Sequence, residues 1–322
     1  MSNSAAIPDR PAVRLAHLSD VHICPANLDW RLADWFNKRL TGWFNLRWLG
    51  RGKSFHLAER VLSALAAELG QRPQVHVVFS GDATSLGFAE ECERAAELLR
   101  VRGPHALPGI AVPGNHDYYT RGAARSGLFE RYFAPWQTGE RVGDAVYPFA
   151  QDVGPVWLIG VNSSTGNRWF WDAAGSVGQD QLARLAILLK RLDNRPRILV
   201  THYPACLASG EPEKRYHGLR DLTDLVRVAR EGGICLWLHG HRHTAYHLTC
   251  SRFAPFPLVC AGTATQEGRW SYGDYTITGR HFHAVRRVYS PADDCFVDHE
   301  IFDLDLAAGL PREEKVTSPK LL

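Results

Sequence analysis

Apolar residues run almost without interruption through six short segments: 12–18 (AVRLAHL), 75–79 (VHVVF), 107–112 (LPGIAV), 155–161 (PVWLIGV), 197–202 (RILVTH) and 234–238 (ICLWL). Runs of that kind suit strands covered on both faces. Between them, 57–69, 89–101, 179–192 and 219–230 carry apolar residues three and four apart, the spacing of amphipathic helices. The alternation predicts an α/β fold. Past residue 244 the helical period disappears. Segments 245–250, 257–262, 273–279, 282–289 and 295–303 read as successive strands joined by turns, antiparallel additions to the sheet. No internal repeat interrupts the pattern. One domain is expected over 1–310, with a loose tail at 311–322.

Residues 25–55 break this rhythm, because a βα connection normally takes about 2–6 residues. The stretch holds Trp30, Trp35, Trp43 and Trp48 together with Phe36, Phe44 and Phe55, and six Lys/Arg against two Asp. Leu28, Leu32, Phe36, Leu40 and Trp43/Phe44 share one helical face. The expectation is an amphipathic helix, or a helical hairpin broken near Gly42. Its apolar face either packs on the domain as a cap or meets acyl chains or a membrane surface.

Composition narrows the class. The chain has 322 residues and 36.0 kDa, with 45% hydrophobic and 22% charged residues, which excludes wholesale disorder. No apolar run reaches the ~18 residues that span a bilayer. The first residues lack the apolar core of a secretory signal, so a cytoplasmic location is expected. Seven scattered cysteines without a C-x-x-C fit reduced thiols. A formal charge of +3 implies no nucleic-acid partner.

The chemistry sits in five short blocks, four of which follow an expected strand directly. They are Asp20-Val-His22, Gly81-Asp82, Gly114-Asn115-His116-Asp117, Thr201-His202 and Gly240-His241-Arg242-His243. Ligands of open α/β sheets bind at the carboxyl ends of strands, so the blocks converge on one edge. Core packing asks for no such set of carboxylates, amide and imidazoles, whereas divalent metals with oxygen and nitrogen preferences do. A glycine precedes three of the blocks, where the backbone must turn tightly or approach a ligand.

The ordered blocks D-x-H, G-D, G-N-H-D, H and G-H-x-H resemble the calcineurin-like metallophosphoesterases, with every ligand position intact. The strand end Cys260–Thr265 and the helix start at Gly178, Gln181 and Leu182 fit the same resemblance. It implies a four-layer α/β/β/α sandwich of two facing mixed sheets and a two-metal site. Carried over, Asp20, His22 and His243 hold one metal and Asp82 bridges both. Asn115, His202 and His241 hold the other. His116 faces the substrate phosphorus and is placed to protonate the leaving oxygen, and Asp117 orients His116 through its other ring nitrogen. The implied cofactors are two divalent ions, Mn foremost, with Fe or Zn as alternatives. The implied reaction is hydrolysis of a phosphodiester or pyrophosphate bond by metal-activated hydroxide.

Asn37-Lys38-Arg39, Gly42 and Asn45, with GDATSL and GNHDYYTR later, resemble the chlamydial-type UDP-2,3-diacylglucosamine pyrophosphatases. That resemblance implies a nucleotide-linked lipid as substrate, reached by peripheral contact of 25–55 with the inner face of the membrane. Tyr118, Tyr119 and Arg121 are candidate substrate contacts, the two tyrosines being equally suited to packing. A cyclic-nucleotide phosphodiesterase, a nuclease and a catalytically silent scaffold are the alternatives. A scaffold has no reason to keep so many unpaired carboxylates and imidazoles.

Overall fold

The computed structural model describes residues 12–72, 74–169 and 171–306. The expected tail at 311–322, the chain start and Phe170 lie outside them. The chain runs through β1 (Ala12–Leu18), α1 (Lys38–Trp48), α2 (Ala58–Gly70), β2 (Val75–Phe79), α3 (Ala89–Leu98) and β3 (Gly109–Ala111). Next come α4 (Arg121–Ser126), α5 (Leu128–Phe133), β4 (Glu140–Arg141), β5 (Phe149–Val153), β6 (Val156–Gly160), α6 (Gln179–Arg191) and β7 (Arg197–Val200). The remainder is α7 (Leu222–Glu231), β8 (Ile234–His239), β9 (Tyr246–Leu248), β10 (Leu258–Cys260), β11 (Ser271–Thr278), β12 (His281–Ser290) and β13 (Cys295–Asp305).

These strands make two mixed sheets, ordered β13-β12-β11-β1-β2-β3 and β4-β5-β6-β7-β8-β10-β9. In the first, β1, β2 and β3 are parallel, and β11 returns antiparallel along β1 with Leu15 opposite Tyr275. In the second, β6, β7, β8 and β10 are parallel. The sheets face each other across a core that sets Leu15, Val78 and Ile110 against Leu158, Val200 and Leu236. On the outer face of the first sheet, α2, α3 and α5 bury Leu62, Leu65, Ala95 and Phe133. The second sheet is covered by α6 and α7 through Leu185, Leu189 and Leu225. This is the expected α/β/β/α sandwich. Burial on both faces is why the parallel strands are apolar throughout.

Two local expectations change. The strand at 257–262 joins the second sheet parallel to β8 and is antiparallel only to β9 on its other side. The segment before β6 contains β4 and β5, two antiparallel strands without a long apolar run.

The 25–55 segment is also reorganised. A 3-10 turn at Leu32–Phe36 leads into α1 through Asn37, whose side chain caps Arg39 N–H at 2.8 Å. The helix runs unbroken through Gly42 and ends at Leu49, followed by a second 3-10 turn at Arg51–Phe55. The bend expected near Gly42 falls instead at Asn37 and at left-handed Gly50 (φ 84°). Gly42 instead permits close packing, since a Cβ there would overlap the Tyr119 hydroxyl and crowd Leu86. It lets α1 lie directly on the loop that follows His116. The aromatics of the segment divide. Trp30, Trp43 and Phe55 are half-buried, the Trp30 ring lying 5.0 Å from Trp35 and 5.2 Å from Phe88. Leu32, Phe36, Trp48 and Leu49 are 69–83% exposed. Among the described residues no helix is long and apolar enough to cross a membrane.

Candidate metal centre

The loops after β1, β2, β3, β7 and β8 meet at one edge of the sandwich. Backbone hydrogen bonds tie the first two together: Asp20 N–H to Gly81 O at 2.9 Å and His22 N–H to Asp82 O at 3.0 Å. Hydroxyls from the loop after β10 strap the same turn, Thr263 Oγ1 donating to Asp20 O and Thr265 Oγ1 to Val21 O, both at 2.7 Å. Asp20, His22, Asp82, His241 and His243 all take left-handed backbone, with φ between 45° and 72°. Non-glycine residues there are uncommon and cost energy, and they concentrate at functional sites. Gly114 belongs to the same construction, since a Cβ would overlap Asp82 Oδ1.

Each carboxylate is held by one oxygen and presents the other. Asp20 Oδ2 accepts from His241 N–H at 2.9 Å, and Asp82 Oδ1 accepts from His116 N–H at 2.7 Å. Asp20 Oδ1 is buried, has no hydrogen-bond donor, and lies 3.0 Å from His243 Nε2 and 3.7 Å from His22 Nε2. Asp82 Oδ2 lies 3.4 Å from His202 Nε2 and 3.7 Å from His22 Nε2.

The imidazoles are oriented from behind. His22 Nδ1 pairs with Thr84 O at 3.1 Å, His202 Nδ1 with Ser80 O at 2.8 Å and His243 Nδ1 with Gln266 Oε1 at 2.7 Å. His241 uses Nε2, 3.0 Å from His217 O. A carbonyl only accepts, so each of these nitrogens carries the proton, and the opposite nitrogen presents a lone pair inward. His22 and His243 then point lone pairs at each other across 3.1 Å, and His202 and His241 do so across 3.3 Å. Asn115 Oδ1 faces the second pair at 3.1 and 2.9 Å. Clustered acceptors with no donor between them repel one another until a cation sits there. The donor set therefore fits divalent metals, and its oxygen and imidazole character suits Mn, Fe or Zn.

Electrostatics agree. Burial pushes the Asp20 and Asp82 carboxyls up, but the surrounding imidazoles outweigh it and hold both below the ordinary carboxylate range. Burial pulls His202 down, but the Asp82 and Asp20 charges outweigh it and lift the group to about 9, so the negative field that favours a metal cation at its Nε2 equally favours a proton there. The geometry groups Asp20 with His22 and His243, and Asp82 with Asp20 and His202. His116 also falls within reach of His22 and Asp82.

Two expectations are corrected. Asp117 does not orient His116. It accepts backbone N–H bonds from Gly114 at 2.8 Å, Asp82 at 2.9 Å and Thr84 at 3.0 Å, so it fixes the loops that carry Asp82 and Asn115. His116 Nδ1 is taken by Ser85 O at 2.7 Å. Tyr118 turns into the core and donates to Glu130 at 2.5 Å, away from the site. Tyr119 stays, its ring stacked on His116 at 5.2 Å, while Arg121 is exposed beside a neighbouring cavity. All seven cysteines are free.

Several contributors leave no mark in the sequence. Arg51 Nη2 stands 3.0 Å from His116 Nε2, and Lys38 Nζ lies 4.3 Å from the Tyr119 ring centre. In the sequence they are two cations among six. Ser80, Thr84, Ser85 and His217 act through backbone carbonyls, which residue identity does not signal. Gln266 sits one residue past the Cys260–Thr265 strand end, and only that adjacency points to it.

Two mixed sheets between helices, with carboxylates, an amide and imidazoles gathered at the strand ends, define a metal-dependent hydrolase. The chain matches the family model described as calcineurin-like phosphoesterase over residues 13–245 and belongs to that family of dinuclear enzymes, which hydrolyse phosphoester bonds. No curated protein matches it in sequence. Its fold is similar to that of a dimetal phosphatase from Danio rerio, with TM-score 0.63 and 12% identity over 91% of this chain and 99% of that one. It is also similar to a purple acid phosphatase from yellow lupin (Lupinus luteus) seeds. There the TM-score is 0.56 and the identity 11%, over 92% of this chain and 54% of the other.

Proposed function

We propose that this enzyme hydrolyses the pyrophosphate bond of a nucleotide-linked lipid such as UDP-2,3-diacylglucosamine, working at the inner face of a membrane. In this reading Asp20, His22 and His243 hold one divalent metal, Asn115, His202 and His241 hold the second, and Asp82 bridges them. Mn is the preferred ion. When bound, such a pair supplies Lewis acidity, lowering the pKa of water and neutralising charge on the phosphoryl oxygens.

The chain's own residues do the rest. Asp117 fixes the turn that carries Asn115 and His116 through its three amide bonds. Ser85 O holds the His116 ring at Nδ1, and its Nε2 accepts from Arg51 at 3.0 Å, so this edge of the site offers the leaving oxygen the Arg51 guanidinium beside the ring. Phe55 lies edge-on to His22 at 5.0 Å and puts an apolar ring on that flank of the site.

The observation that carries the lipid reading is a cavity of about 800 Å³ that begins at His22. It runs under the C-terminal half of α1 between Cys24, Leu28, Trp30, Trp43, Leu46 and Phe55. Its aromatic and aliphatic side suits an acyl chain, and Asn27, Arg47, Lys53, His56 and Glu59 line the remainder. A second cavity, about 560 Å³, lies at the N-terminal end of α1 among Arg31, Lys38, Arg39, Arg121, Arg131 and Arg168, which outnumber the carboxylates Asp29, Asp34 and Glu90 in its lining and favour an anionic nucleotide. The exposed Leu32, Phe36, Trp48 and Leu49, with Arg31 and Arg47 nearby, form a surface suited to an anionic bilayer.

The test is a Mn²⁺-supplemented hydrolysis screen of UDP-2,3-diacylglucosamine, cyclic AMP, bis-p-nitrophenyl phosphate and single-stranded DNA, with Asp82→Ala as blank. Preferential turnover of the lipid nucleotide is the expected result. Preference for cyclic AMP or DNA would replace the substrate class, and no turnover above the blank would favour a silent scaffold.

A further inference from the structure

We propose that Lys38 and Arg51, both supplied by the 25–55 segment, form a clamp for the second, non-scissile phosphoryl group of a phosphoanhydride substrate. This deepens the pyrophosphatase reading above and rests on it.

Arg51 reaches His116 directly, and Lys38 reaches Tyr119, the ring stacked on it. Because His116 gives Nδ1–H to Ser85 O, its Nε2 is an acceptor, and Arg51 donates to it at 3.0 Å. Tyr119 stacks on the His116 ring with an interplanar angle of 27°, and Lys38 Nζ lies 4.3 Å from the Tyr119 ring centre. Lys38, Tyr119, His116 and Arg51 thus form a continuous wall beside the metal centre.

Neither cation has a carboxylate within ion-pair distance among the described residues. Arg39 pairs with Asp34, Arg94 with Glu59, Arg195 with Asp152 and Arg220 with Asp172. Lys38 is half-buried, and burial lowers its ammonium to about 8, against the pull of Asp172 and Asp82. A partly desolvated charge without a counterion is costly unless a ligand completes it.

The chemistry of the missing partner follows from charge. A single phosphoryl group is already served by two divalent cations. Two further cations beside it are surplus for an isolated phosphodiester but match a neighbouring phosphoryl group. The Arg51 fork suits two phosphate oxygens, and Lys38 acts as a point charge. Gly42 sets the reach: one turn after Lys38, it allows α1 to settle on Tyr119 where any side chain would overlap. The close approach thereby places the ammonium.

The test compares UDP with UMP on the Mn²⁺-loaded full chain, by titration calorimetry and by competition with bis-p-nitrophenyl phosphate hydrolysis. The wild type should bind UDP at least about tenfold more tightly than UMP. Arg51→Gln and Lys38→Met should each remove most of that preference, with Arg51→Lys intermediate because it keeps charge and loses the fork. Unchanged UDP:UMP ratios in the variants, or no preference in the wild type, would overturn the clamp. Thermal melts of each variant separate this from misfolding. Failure of the hydrolysis screen would remove the substrate reading and leave the binding ratio readable, so the two failures are distinguishable.

Discussion

His22 and His243 face each other through Nε2 atoms 3.1 Å apart, while each gives its other ring nitrogen to an oxygen behind it. Two neutral imidazoles at that distance need a cation or a proton between them, and the carboxylate of Asp20 3.0 Å from His243 favours either. The oxygens behind the rings are therefore part of the metal affinity. Gln266→Ala should weaken Mn²⁺ binding about 10–100-fold, with little change in melting temperature of the metal-free protein. Metal titration checks this, and equal affinity in the variant would show that His243 needs no fixing.

Asp82 is shared by both halves of the centre. Asp82→Ala should leave at most one tightly held metal and abolish turnover, losing on the order of 10³-fold or more. Elemental analysis after desalting decides the matter. Two metals retained would remove the bridging role.

His116 and Asp117 are neighbours with separable duties. His116→Ala should keep both metals and lower kcat about 10²–10⁴-fold. Asp117→Ala leaves the amides of Gly114, Asp82 and Thr84 without an acceptor, and should cost about 3 kcal/mol or more of stability together with metal retention. Denaturant melts paired with metal content tell the two apart. Identical behaviour of both variants would return Asp117 to the role of orienting His116.

Acid should destabilise the fold through histidines outside the metal centre. Burial, aided by the His239 charge, lowers His17 to about 3 despite Asp20, and burial lowers His76 to about 4 despite its bond to Gln151. The unfolded chain, with ordinary values near 6.5, takes up these protons first. Stability is full above pH ~6.5 and falls as pH drops toward ~4, by up to about 1.4 kcal/mol per pH unit for each residue. Urea melts between pH ~7.5 and ~5 measure the slope. His76→Asn should flatten it, and an unchanged slope would assign the effect elsewhere.

The outward residues of the 25–55 segment predict surface binding. Phe36→Ser with Trp48→Ser should reduce flotation with anionic liposomes by about tenfold without lowering the melting temperature, because both side chains are mostly exposed. A wild type that ignores liposomes would take that surface out of the membrane reading.

The parallel strands and the metal-centre residues are legible in the sequence because both leave strong local marks. Doubly covered strands such as β1, β2 and β8 are apolar end to end, and the chemistry follows each one immediately. β4 and β5 leave no such mark. Phe149–Val153 gains its place by pairing with Val156–Gly160, a contact that residue pattern does not announce. Gly42 misleads because close helix approach and helix breaking use the same residue. Asp117 misleads because proximity in sequence to His116 suggests a side-chain partner, whereas the amide of Gly114 in its own loop and those of Asp82 and Thr84 in the loop after β2 claim it. Arg51 and Lys38 are invisible as site residues, since only the return of the segment over the cleft brings them there.

The left-handed backbone at Asp20, His22, Asp82, His241 and His243 has a consequence for how this protein can change. Each such residue costs of order 1–3 kcal/mol relative to a relaxed conformation, and glycine would accept the same backbone freely. A descendant released from catalysis would gain stability by drifting toward glycine at these positions. Holding a ligand at these positions therefore works against the stability of the loops that carry it.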